Sequence, residues 1–137
     1  MNKSIFRRKS RVGIRVTSIT PELWKKWKRE FSRGCVAFVG FGVWSEIISQ
    51  EGFSKVFDPV DKLDIIKRGL FGRICDVPVY CNVFSVVEKD WLPPGDMYFF
   101  PKPEGDVTAW DFDRMLRGSS RVFHIALKEP KHKRVSG

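Results

Sequence analysis

Val12, Ile14 and Val16 alternate with Gly13, Arg15 and Thr17, a period of two that predicts a half-buried strand. The period then changes. Thr20 suits a helix cap and Pro21 the first helical position, after which Leu23, Trp24, Trp27 and Phe31 recur at helical spacing. Lys25, Lys26, Lys28 and Arg29 take the remaining surface, so the pattern predicts a basic amphipathic helix running to near Gly34. Cys35 to Val39 is a short apolar run. Gly40-Phe41-Gly42 then leads into a second helical face, Val43, Trp44, Ile47 and Ile48, with Gly52 at its end. Asp58-Pro59 breaks the chain before a third short helix over 61–68, with Leu63, Ile65 and Ile66 expected inward and Gly69 just past its end.

From Leu70 the apolar residues become β-branched and aromatic, which predicts strands over 70–75 and 77–87 with Asp76 in the turn between them. Pro93-Pro94-Gly95-Asp96 marks another turn, 97–100 a strand that Pro101 terminates, 102–106 a loop, 111–116 a short helix or turn, and 122–127 a last strand. The expected fold class is α+β: an N-terminal strand and short helices followed by a mostly antiparallel sheet, with basic flexible ends. The expected organisation is a basic arm over 1–11, one α+β domain over 12–127 and a basic tail over 128–137.

Charge sharpens this picture. Residues 1–34 hold eleven Lys/Arg against two Glu, and the other 103 residues of the 137 are formally neutral, so the first quarter carries the whole net charge of +9. The cations expected to contact neighbouring subunits or nucleic acid are Lys3, Arg7, Arg8, Lys9, Arg11, Arg15, Lys25, Lys26, Lys28 and Arg29, joined at the other end by Lys131, Lys133 and Arg134. Twelve Phe and five Trp provide ample core. Three cysteines, Cys35, Cys75 and Cys81, read as free thiols in a reducing compartment, and no apolar run approaches the length of a membrane span.

Candidate chemistry is sparse. Gly40-Phe41-Gly42-Val43-Trp44-Ser45 only partly matches a phosphate-cradling glycine loop, because Ser45 stands in place of the third glycine; a pair of loop glycines is the expected reading. Glu104 with Asp106, and Asp111 with Asp113, could act as acid and base or hold a divalent ion, but their setting favours solvated loop carboxylates. His124 and His132 have no metal-ligand spacing, and Cys75 and Cys81 form no CxxC pair. Trp24, Trp27 and Phe31 would make a base-stacking platform if exposed, but their spacing favours burial. The expectation is therefore a protein without catalytic residues, metal or cofactor.

The run Arg68-Gly69-Leu70-Phe71-Gly72-Arg73-Ile74-Cys75-Asp76-Val77-Pro78-Val79-Tyr80-Cys81-Asn82 resembles a glycine-containing strand followed by Val-Pro-Val in the C-terminal part of tailed-phage major capsid proteins of the HK97-like fold. Gly69, Gly72, Val77, Pro78 and Val79 fall on that pattern, and the order of elements looks similar from Ile19 to Phe100. The resemblance implies a non-enzymatic structural component of a bacteriophage particle carrying a capsid-like subdomain. It would be located in the virion, and in the host cytoplasm during assembly, with its own copies and other virion proteins as partners. DNA is a further partner by charge, and no membrane is expected. The alternative from charge alone is a small nucleic-acid-binding or regulatory protein acting through sequence-independent phosphate contacts.

Overall fold

The computed structural model describes residues 10–81 and 92–128. Its centre is one seven-stranded sheet: β1 (Ser10–Val16), β2 (Cys35–Val39), β3 (Phe57–Pro59), β4 (Leu70–Ile74), β5 (Val77–Tyr80), β6 (Asp96–Pro101) and β7 (Arg121–Leu127). The spatial order is β1-β7-β6-β2-β5-β4-β3. The α+β class holds, but the sheet is mixed rather than mostly antiparallel. β1 runs parallel to β7 and β2 parallel to β5, while the other neighbours are antiparallel. Hydrophobic alternation marks a strand without naming its partner, and both parallel pairs join segments far apart in the chain.

Helices α1 (Pro21–Lys28), α2 (Phe41–Ile48) and α3 (Glu51–Ser54) cover one face of the sheet. Alternate strand residues meet them: Ala37 and Val39 from β2, Met97 and Phe99 from β6, Phe123 and Ile125 from β7. Their neighbours Val36, Phe38, Tyr98, Phe100 and Val122 point the other way, against Val107, a 3-10 turn at Ala109–Asp111 and α5 (Phe112–Gly118). With both faces covered, β2 is buried at every position, which explains why it reads as a continuous apolar run.

Local chemistry sets the helix ends. The Thr20 hydroxyl accepts the Leu23 N–H at 3.1 Å and Pro21 opens α1 as expected. The helix stops at Lys28, well before Gly34, and the chain passes through turns to the left-handed Gly34. Gly52 does not end α2; it lies inside the separate α3. Asp58 and Pro59 belong to β3, the short edge strand, where a proline costs no ladder bond.

Helix α4 (Lys62–Arg68) corrects a further expectation. Leu63 and Ile66 are 60% and 61% exposed, Ile65 is half-buried, and no residue of the helix is fully buried. Its seven residues are fixed at both ends, by the Asp61 carboxylate accepting the Asp64 N–H and by the left-handed Gly69. These caps fix the rotation of so short a helix, so its apolar spacing does not decide which face turns inward. The strand expected over 77–87 ends at Tyr80, and the rest of that prediction lies outside the described residues. At the N-terminus β1 begins at Ser10, so Arg11, assigned to the arm by its charge, is a strand residue.

A candidate anion-binding cleft

Two residues one turn apart on α1 hold the β4–β5 hairpin. Trp24, fully buried, donates its indole N–H to the Ile74 carbonyl at 3.0 Å, and Lys28 donates its ammonium to the Cys75 carbonyl at 2.6 Å. The hairpin turn is Cys75-Asp76, both left-handed at φ 50° and 67° without a glycine to ease them. A turn with non-glycine residues at positive φ is strained, and the charge-assisted bond from Lys28 steadies it.

Beside this turn lies a cleft of about 550 Å³, bounded by the C-terminal end of α1, the Ser32–Gly34 turn, the hairpin and the loop after β6. Five cations line it, Lys28, Arg33, Arg68, Arg73 and Lys102, against two carboxylates, Asp76 and Asp106. Lys28 is bound to the hairpin, and Arg68 forms a 3.7 Å pair with Asp64 and acts electrostatically on the buried Tyr80. Among the described residues no hydrogen bond or ion pair engages the side chains of Arg33, Arg73 and Lys102. Burial pushes the Tyr80 hydroxyl up, and the Arg68 guanidinium opposes that rise. Five cations against two carboxylates leave an excess of positive charge in the cleft, and an anion seated among like charges lowers their mutual repulsion.

The thiols are shaped by burial. Cys35 and Cys75 line the cleft and Cys81 is buried nearby in the core. Burial pushes the Cys35 thiol from its ordinary 9.0 to about 12, with Lys28 acting in the opposite direction, and burial likewise raises Cys75 against the pull of Lys25 and Lys28. A thiol whose folded pKa is raised stabilises the fold below 9.0, and that contribution is lost as pH rises towards about 12. At neutral pH a thiol reagent should therefore label the half-exposed Cys75 alone, slowly, and reach Cys35 and Cys81 only after denaturation. Rapid labelling of two thiols in the native protein would contradict this.

The remaining cations are scattered. Lys25, Lys26 and Arg29 are exposed on the outer side of α1, Arg15 is exposed on the edge strand β1, and Arg11 lies in the same strand. Lys3, Arg7, Arg8, Lys9, Lys131, Lys133 and Arg134, with His132, lie outside the described residues. Trp24, Trp27 and Phe31 are buried at 0%, 3% and 8% exposure, so α1 presents charge without a stacking platform. At the start of α2 the Val43 N–H donates to Pro94 O at 2.9 Å, and a Cβ on Gly40 would stand 2.1 Å from Pro93 O. The glycines there admit a neighbouring loop, and the backbone donor is already used.

No protein-family model, curated protein or solved structure matches this chain. Two of the four carboxylates raised as acid–base candidates are engaged in local structure. Asp111 accepts the Thr108 N–H at 2.8 Å in a capping box and faces Arg114 at 3.5 Å, while Asp113 pairs with Arg117 at 2.8 Å. Glu104 is exposed in the loop and Asp106 stands at the cleft. His124 stacks on Tyr98 with ring centroids 4.3 Å apart, its Nε2 3.3 Å from an Asp96 oxygen. No group of three or more potential metal ligands occurs among the described residues, and no described helix is long and apolar enough to cross a membrane. Of the described cations expected at a contact, only Lys28 lines the cleft. Arg33, Arg68, Arg73 and Lys102 come from four separate segments and carry no shared motif.

Proposed function

We propose that this protein is a non-enzymatic structural component of a bacteriophage particle, assembling through its basic arm and through apolar surface on its body. The observation that carries the assembly reading is α4, which presents Leu63 and Ile66 to solvent at the side of a well-packed sheet. Exposed aliphatic side chains on one helix face are stabilised when a neighbouring subunit covers them, each contributing about 1.5–3 kcal/mol on full burial. The resemblance to capsid proteins supports the phage part of the reading: its Gly72 and its Val-Pro-Val lie in the β4–β5 hairpin and its Gly69 caps α4 just before it, both glycines at positive φ.

In cells producing the particle, the tagged chain is expected to sediment with particles. Leu63→Asp combined with Ile66→Asp should lower incorporation at least about tenfold while the variant remains folded, because two exposed positions lose their apolar contact. Equal incorporation of the variant would remove α4 from the account, and failure of the unaltered chain to sediment with particles would overturn the reading.

A second reading is favoured by the exposed cations on α1. Lys25, Lys26 and Arg29 could neutralise phosphates without reading sequence, and affinity for DNA or RNA would then fall steeply with salt.

A further inference from the structure

We propose that the cleft between α1, the β4–β5 hairpin and the loop after β6 binds a nucleotide through its phosphate, either free or as one unit of a strand. The inference does not depend on the phage reading. Its basis is the convergence of five cations on one concavity in which the side chains of three, Arg33, Arg73 and Lys102, make no hydrogen bond or ion pair among the described residues. A guanidinium offers two parallel donors matched to phosphate oxygens, and two arginines with a lysine can surround one phosphate.

The size and walls of the cleft specify more than a bare ion. A volume of about 550 Å³ falls within the range of small-ligand sites and exceeds what one phosphate fills. Pro78 and Pro103 are half-exposed in its lining, and the buried Leu70, Val77 and Val107 belong to the same lining. These flat and branched apolar surfaces suit a base or sugar, while Asp76 and Asp106 can accept hydrogen bonds from amino or hydroxyl groups. Lys28, tied to the hairpin at 2.6 Å, and Arg68, paired with Asp64 at 3.7 Å, are held in place before any ligand arrives.

The test titrates the full chain with adenosine monophosphate and with a fluorescent deoxythymidine decamer. Both are expected to bind and to compete. Reversing the three unpartnered cations together (Arg33→Glu, Arg73→Glu, Lys102→Glu) should weaken both at least about tenfold and lower the salt slope of decamer binding by about 2–3. An equal charge change on the outer face of α1 (Lys25→Glu, Lys26→Glu, Arg29→Glu) should leave the monophosphate affinity within about twofold, because those positions lie outside the cleft. In the unaltered protein, saturating monophosphate should also slow alkylation of Cys75, which lines the cleft. A decamer bound much more tightly than the monophosphate assigns the site to a strand, and equal affinities assign it to a free nucleotide. The proposal is overturned if the monophosphate does not bind at millimolar concentration, if the outer-face variant loses as much affinity as the cleft variant, or if Cys75 is not protected.

Discussion

Replacing Phe99 with alanine is expected to destabilise the fold by about 3–5 kcal/mol. Phe99 is fully buried on β6, an interior strand between β7 and β2. Its ring meets Trp24 edge-on at 5.0 Å, and Trp27 and Phe31 lie 6.2 and 6.5 Å away. All three partners come from α1 and the turn after it, so one truncation detaches the helix from the sheet at the point where the two layers meet. The loss combines the transfer free energy of the ring, the cavity left among rigid aromatic neighbours, and the edge-to-face contacts themselves. Urea unfolding followed by tryptophan fluorescence measures it, and a loss below about 1 kcal/mol would mean that α1 is not seated as described.

The second large effect is expected at Gly69. This residue closes α4 at φ 66° and passes the chain directly into β4, while its carbonyl accepts the Cys81 N–H at 2.8 Å. A Cβ there would stand 2.3 Å from the Ala109 Cβ and 3.0 Å from Cys81 O. Gly69→Ala therefore combines a left-handed backbone penalty of about 1–2 kcal/mol with overpacking of about 1–3 kcal/mol. The expected sum is about 2–5 kcal/mol. Gly105 provides the contrast, since a Cβ added there meets nothing within 4 Å and its backbone is not left-handed. Gly105→Ala should shift stability by less than about 0.5 kcal/mol. Equal effects at the two positions would show that Gly69 is not constrained by its neighbours.

The residues most legible in the sequence were those whose role is local. Thr20-Pro21 announces the start of α1, Gly69 the end of α4, and Asp76 the hairpin turn, because a cap or a turn needs only its immediate neighbours. Trp24, Trp27 and Phe31 were readable as core from spacing alone, and their burial follows from a helix lying on a sheet. The parallel pairing of β1 with β7 was not readable, since nothing in Ser10–Val16 encodes a partner more than a hundred residues away. Nor was the outward turn of Leu63 and Ile66, which depends on how the two ends of α4 are fixed.

The cleft was missed for a related reason. Sequence charge points to the dense clusters at the two ends, where Arg33 is the last cation of the first cluster, whereas Arg68, Arg73 and Lys102 are dispersed through segments that also carry acidic residues. Folding alone brings them together, and of the local carboxylates, Asp111 and Asp113 pair with Arg114 and Arg117 outside the cleft, while Asp64 engages only Arg68 among the five cleft cations.

The assembly reading is tested most directly by quantitative mass spectrometry of gradient-purified particles from cells that produce this protein. The account predicts that the chain is present in a fixed ratio to the other particle proteins and is retained through nuclease treatment and a high-salt wash. Its absence from the particles, or its release by nuclease alone, would contradict the account.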